Sequence, residues 1–231
     1  MLRFDRFSAL SFDCYGTLID WETGLLEALR PLLRRHGVVC EDDRLLGLYA
    51  ASEKEVEAGP YRKYRDVLRE VTQRLGAALA FRPSSEELEV LEQSLPCWPP
   101  FPDTVEALRA LSERYRLAIA SNTDDDLFAA TRARLDVEFD LVTTAEQVRS
   151  YKPALAHFNR TLAGLGIGSD RLLHVAQSLF HDIGPARSLG IATVWVNRRA
   201  GRRGSGATLP AEATPDLEVN DLAALVTRSK T

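Results

Sequence analysis

Apolar residues along this chain keep two rhythms. The first is a short buried-strand run, Ala9-Leu10-Ser11-Phe12, which stops at Asp13-Cys14-Tyr15-Gly16-Thr17. The second is helical spacing, which holds from Trp21 to Leu95 without a strand-like interruption. Leu25, Leu26, Leu29, Leu32 and Leu33 predict a helix that Pro31 kinks and Gly37 stops. A second helix is predicted over 42–57, ending near Gly59-Pro60. A third carries Tyr64, Val67, Leu68, Val71 and Leu75 and ends near Gly76. A fourth starts at Ser84-Ser85, with Glu87 as the capping-box partner of Ser84, and continues to Leu95.

Pro96-Cys97-Trp98-Pro99-Pro100-Phe101-Pro102 cannot continue a helix and reads as a stiff linker. Beyond it strands and helices alternate. Strands are predicted at Leu117-Ala118-Ile119-Ala120, Leu141-Val142-Thr143, Leu172-Leu173-His174-Val175-Ala176, Ala192-Thr193-Val194-Trp195-Val196 and Leu217-Glu218-Val219. Helices are predicted over 104–115, 127–135, 154–165 and 182–189, and an irregular loop over 200–213. The fold class expected is α/β, a doubly wound parallel sheet with an inserted helical cap. The core takes residues 1–17 and 99–231, and the cap takes 18–98. An insert placed directly after the first strand lies over the carboxyl edge of the sheet, where it can exclude water from a pocket.

Composition narrows the function classes. At 231 residues and a net charge of −4, the chain has no basic excess for nucleic acid. The run Arg198-Arg199-Ala200-Gly201-Arg202-Arg203 is broken by glycine and reads as a solvated loop. No apolar stretch reaches the ~18 residues a membrane span needs, and no signal peptide is recognisable ahead of the first strand. Cys14, Cys40 and Cys97 are widely spaced and lack a ligand-like histidine pattern. They fit a reducing cytoplasm and no structural zinc. Cys14, beside Asp13, reads as a small buried filler.

Polar clusters mark four strand ends: Asp13 with Thr17; Ser121 with Asn122; Lys152 before Pro153; and Gln177, Ser178 and Asp182. In a parallel sheet such ends converge on one edge, where open α/β sheets bind their ligands. An ionised aspartate there is a competent nucleophile, and a nearby ammonium favours its charged form. Hydroxyl and amide donors can orient an anion. A second carboxylate can position the lysine or help activate water. Singly, each residue also suits a bland role: a surface lysine, a helix cap, a charge on a helix N-terminus. Their order at successive strand ends favours the joint reading.

Asp13-Cys14-Tyr15-Gly16-Thr17-Leu18, Ser121-Asn122, Tyr151-Lys152-Pro153, and Val175-Ala176-Gln177-Ser178 with Asp182 resemble the haloacid dehalogenase superfamily. The cap and the Trp195-Val196-Asn197-Arg198 run extend the resemblance to the L-2-haloacid dehalogenase (type II) branch. The resemblance implies that Asp13 is the nucleophile and Thr17 its support. It implies that Ser121 and Asn122 bind the substrate's anionic group, with Tyr15, Gln177 and Ser178 beside it. Lys152 would neutralise charge and Asp182 would assist the water that hydrolyses the ester. The implied substrate is a small 2-haloalkanoic acid, with no cofactor required; type II relatives imply a homodimer.

The superfamily's phosphatases carry a second aspartate two positions after the nucleophile, which protonates a leaving alkoxide. This chain has Tyr15 there, and Gln177 replaces an acid that supports Mg²⁺. Halide leaves without a proton, so both changes favour carbon–halogen chemistry over phosphoryl transfer. A Mg²⁺-dependent phosphatase, with the metal on Asp13 and Asp182, and a non-catalytic ligand-binding relative remain the alternatives. Two departures stand out. The cap arginine that dehalogenases associate with halide is missing from Leu48-Tyr49-Ala50-Ala51-Ser52, and a tyrosine six positions after the lysine is here Phe158. Tyr61, Tyr64 and Arg65 are the cap candidates for holding the substrate instead.

Overall fold

The computed structural model describes residues 2–202, 204 and 206–230. Arg203 of the arginine-rich run lies outside them. In chain order, β1 (Ala9–Phe12) is followed by four cap helices: α1 (Trp21–Arg35), α2 (Asp42–Glu57), α3 (Tyr64–Ala78) and α4 (Val90–Ser94). Then come α5 (Thr104–Ser112), β2 (Arg116–Ser121), α6 (Asp125–Arg132), β3 (Leu141–Thr144), α7 (Ala145–Val148), α8 (Ala156–Leu165) and β4 (Leu172–Ala176). The chain closes with α9 (Gly184–Ser188), β5 (Ala192–Val196), β6 (Leu217–Val219) and α10 (Leu222–Ser229).

All six strands are parallel, in the order β3-β2-β1-β4-β5-β6. β1 and β4 are buried along their whole length, as expected of strands covered on both faces. The winding direction reverses between β1 and β4, which places the ligand crevice at their carboxyl ends. Register sharpens this: Phe12 lies level with Ile119 of β2 and Val175 of β4. The residues that follow each strand therefore emerge side by side.

The cap is tied to the core by two adjacent chain crossings. Ile19 bridges Pro100; Asp20 N donates to the Pro99 carbonyl at 2.8 Å and Phe101 N to the Leu18 carbonyl at 3.0 Å. The proline linker is thus one side of a paired crossing. α3 receives a further tie: the Asp124 carboxylate, from the core, accepts from Tyr64 N (2.8 Å) and Arg65 N (3.1 Å) at the helix N-terminus.

Local differences from the pattern have local causes. α3 does not stop at Gly76. The returning segment packs so close that a Cβ there would lie 2.6 Å from Pro83 Cδ and 2.8 Å from the Phe81 carbonyl oxygen, so this glycine marks a close approach inside the helix. The capping box forms, with Ser84 N donating to Glu87 at 3.0 Å and Glu87 N to Ser84 Oγ at 3.2 Å. The expected fourth helix is nevertheless split into α4 and two flanking 3₁₀ turns, the second containing Pro96. The helix expected from Asp182 begins instead with a widened π turn, Leu179–Ile183, before α9. α10, capped by Asp221 and burying Leu222 and Leu225, follows a stretch too short to stand out by periodicity alone.

Candidate active site

Asp13 leaves the end of β1 with its carboxylate held on both sides. Thr17 Oγ1 donates to Oδ2 at 2.7 Å, and Lys152 Nζ donates to Oδ1 at 2.8 Å. Thr17 is fixed in turn by Gln177 N, which donates to its Oγ1 at 2.9 Å. Lys152 is fully buried and bridges three acceptors: Asp13, the Ala120 carbonyl (2.8 Å) and Asp182 Oδ1 (2.6 Å). Asp182 Oδ1 is also 3.0 Å from His174 Nε2, whose Nδ1 meets Ser11 Oγ at 2.8 Å. A buried chain thus runs from the middle of the sheet to the lysine. Among the described residues, Asp182 Oδ2 and Ser121 Oγ are buried without a hydrogen-bond partner.

Electrostatics set the three charges apart. Burial pushes Asp13 above the usual carboxylate range, against the pull of Lys152 and Thr17. Burial also penalises the Asp182 charge, but Lys152 and His174 outweigh it and hold that carboxylate below the ordinary value. Lys152 is raised despite its burial, because Asp13 and Asp182 both favour the ammonium. The arrangement keeps a cation permanently against the Asp13 oxygen.

The remaining expected site residues are present with divided roles. Asn122 clamps the Lys152 backbone: its Oδ1 accepts from Lys152 N at 2.7 Å and its Nδ2 donates to the Lys152 carbonyl at 3.2 Å. Tyr15 lines the cavity with its ring, while its hydroxyl lies 2.8 Å from Thr131 Oγ1. Gln177 Oε1 accepts from Thr208 at 3.0 Å. Ser178 caps the π turn, accepting from His181 N at 2.9 Å. Of the cap candidates only Tyr64 reaches the cavity. Tyr61 lies tilted against Tyr151, and Arg65 pairs with Asp124, Asp126 and Glu92. Phe158 is buried edge-on to His174, 5.1 Å between ring centroids, and lies away from the cavity lining.

The cap adds a residue that sequence reasoning missed. Glu53 of α2 is 6% exposed and lines the same cavity as Asp13. Its Oε1 accepts from both Tyr49 (2.7 Å) and Tyr64 (2.8 Å). Burial pushes its carboxyl up to about 7, against the pull of those two hydroxyls. Its position four residues after Tyr49 on one helix face was the available signal. The cavity between the two walls measures about 40 Å³, room for roughly three water-sized groups.

A sequence profile of haloacid dehalogenase-like hydrolases matches residues 7–190. The chain belongs to this family. Among curated relatives, the (S)-2-haloacid dehalogenase H-109 of Pseudomonas putida is 30% identical over 226 residues, covering 91% of this chain and 92% of that protein. The crystal structure of the L-2-haloacid dehalogenase PA0810 superposes with a TM-score of 0.79 at 25% identity, covering 96% of this chain and 99% of the other. The L-2-haloacid dehalogenase of Xanthobacter autotrophicus, solved with chloropropionic acid covalently bound, shares the fold with a TM-score of 0.80 at 21% identity; the match covers 97% of this chain and 98% of that one.

Within this haloacid dehalogenase-like frame the two carboxylates that a divalent cation would use already face an ammonium. The gap between Asp13 and Asp182 is bridged by the Lys152 ammonium, which donates to both. The amide oxygen of Gln177 is engaged by Thr208. No cluster of three metal-ligating side chains occurs among the described residues. A second cation would have to compete with an ammonium already hydrogen-bonded at both ends.

Proposed function

We propose that the chain is a hydrolase of carbon–halogen bonds in short 2-haloalkanoic acids. Asp13 attacks the halogen-bearing carbon in line, halide departs with the bonding electrons, and water then hydrolyses the aspartyl ester. Thr17 and Lys152 hold the attacking carboxylate in place and keep it charged. The unpartnered Ser121 hydroxyl and the second Nδ2 hydrogen of Asn122 bind the substrate carboxylate. Asp182 anchors Lys152, and its free Oδ2 orients the hydrolytic water. With its basicity so reduced, it positions that water better than it deprotonates it. Residues 18–98 act as the cap that closes the cavity, and the free cysteines fit a cytoplasmic enzyme.

The single observation that carries this reading is the pairing at Asp13. The nucleophile sits against a buried ammonium, and two positions on stands Tyr15, whose hydroxyl is turned to Thr131. The core therefore presents a nucleophile without the leaving-group acid that phosphoryl transfer needs. The cavity volume restricts the substrate to a few heavy atoms.

The test is halide release from a panel of short 2-halo acids, each with Mg²⁺ and with chelator, and a phosphomonoester in parallel. Chelator-resistant halide release is expected, falling by roughly 10⁴-fold or more in Asp13→Asn. Phosphate release that needs Mg²⁺, without halide, would overturn the reading.

A further inference from the structure

The cap wall of the cavity holds an acid for which the displacement above has no role. Glu53 faces the same space as Asp13, yet no cation is hydrogen-bonded to it. Both of its hydrogen bonds fall on one oxygen: Tyr49 and Tyr64 each donate to Oε1. Oε2 has no protein partner among the described residues. When this carboxyl is protonated, the oxygen that is not already a double acceptor carries the proton, which leaves Oε2–H free to donate within the cavity that Glu53 lines.

The neighbours leave Glu53 without a countercharge. On α2 lie Tyr49 and, one turn on, the carboxyl of Glu57; α3 contributes Tyr64. From the core, Asp13, Asp182, Lys152 and His181 line the facing wall. Lys152 is committed to the two aspartates. Burial pushes His181 down to about 4, so it is neutral near pH 7. No cation in this ring is free to pair with a negative charge on Glu53, and burial outweighs the two hydroxyls and pushes its carboxyl up to about 7.

We propose that Glu53 donates a hydrogen bond, and in the transition state its proton, to the group leaving the carbon attacked by Asp13, and that this suits the site to short 2-fluoro acids. The proposal rests on the halide-displacement reading. Chloride and bromide are conjugate bases of strong acids and gain little from a proton. Fluoride is the strongest hydrogen-bond acceptor among the halides and the conjugate base of a weak acid, so a donor helps it most. The step balances. An Asp13 Oδ–carbon bond forms, the carbon–fluorine bond breaks with its electron pair on fluorine, and the Glu53 proton goes with it as hydrogen fluoride. Water then cleaves the aspartyl ester to the 2-hydroxy acid and regenerates Asp13, and the proton released returns to Glu53. The sum is fluoro acid plus water giving hydroxy acid plus hydrogen fluoride.

The experiment measures fluoride, chloride and bromide release from the three 2-halopropionates across about pH 5.5 to 9, using the wild type, Glu53→Gln and Tyr64→Phe. In the wild type, fluoride release should fall as pH rises through about 7, while bromide release should not. Glu53→Gln should lower fluoride release by roughly 100-fold more than it lowers bromide release, and abolish that limb. Tyr64→Phe removes a donor that favours the charged carboxyl, so the fluoride limb should move to higher pH. If Glu53→Gln lowers all three halides by one factor, the residue is structural and the proposal fails. If the wild type releases bromide but no fluoride, it fails as well, with the displacement reading intact. If no halide is released from any substrate, the displacement reading itself falls and takes this proposal with it. A thermal melt reports the folding of Glu53→Gln; should that variant be unfolded, the limb of Tyr64→Phe decides.

Discussion

The core wall of the cavity sets an ammonium between two carboxyl groups, and the cap wall carries hydroxyls and a carboxyl without a countercharge. On the core side Asp13, Lys152 and Asp182 hold one another in the segments that follow β1, β3 and β4, each through at least two hydrogen bonds or ion pairs. On the cap side Glu53, Tyr49 and Tyr64 are held by one another, from two helices that reach the core through a paired crossing and the Asp124 tie. On the proposed function the contrast separates two tasks. A nucleophile needs a charge kept in a fixed place, and a sheet edge supplies rigid geometry. A wall that must close over substrate does better with groups that need no countercharge while the cavity opens and refills with water.

The sharpest way to break this contrast is to remove the cation from the core wall. Lys152→Met leaves two buried carboxylates facing each other, and urea unfolding at neutral pH should show a loss of about 3–5 kcal/mol. The loss should shrink in acid, as the carboxylates take up protons. A smaller effect tests the cap wall. The Glu53 carboxyl is raised in the folded chain from about 4.5 to about 7, so the native state binds the proton more tightly than the unfolded chain. Its effect on stability is most favourable below the unfolded value and is lost as pH rises through about 7. Glu53→Gln should therefore gain on the wild type between roughly pH 5 and 8, by up to about 3 kcal/mol. Parallel thermal melts at the two pH values would show it, and a constant difference would mean that the carboxyl is ionised in the fold. The smallest effect concerns how the walls are joined. Asp124→Ala removes the acceptor for Tyr64 N and Arg65 N, and should cost about 0.5–2 kcal/mol in denaturant unfolding. Because those donors lie on the cap, the same variant should raise KM more than it lowers kcat.

Much of the core wall was legible along the chain. Asp13, Thr17, Lys152 and Asp182 each follow or closely adjoin a predicted strand end, and parallel topology alone requires those ends to meet. Asn122 was legible as a site residue but not in its role, because its clamp on the Lys152 backbone spans 30 positions of sequence. Glu53 was only faintly legible, through its spacing from Tyr49: in an amphipathic helix a glutamate reads as solvent-facing, and the approach of α3 and the core encloses it. Gly76 misled for a related reason, since a helix-ending residue and one that admits a crossing chain look alike until the crossing chain is placed.

By itself, the sequence determined the parallel sheet, the helical insert and the acid–lysine–acid set. These follow from local periodicity and from the rule that brings parallel strand ends to one edge. The tertiary structure decided which oxygen each donor holds, which of the cap's polar residues face inward, and how little space remains between the walls. Those depend on burial, and burial is a property of what packs against a residue rather than of the residue's neighbours in the chain.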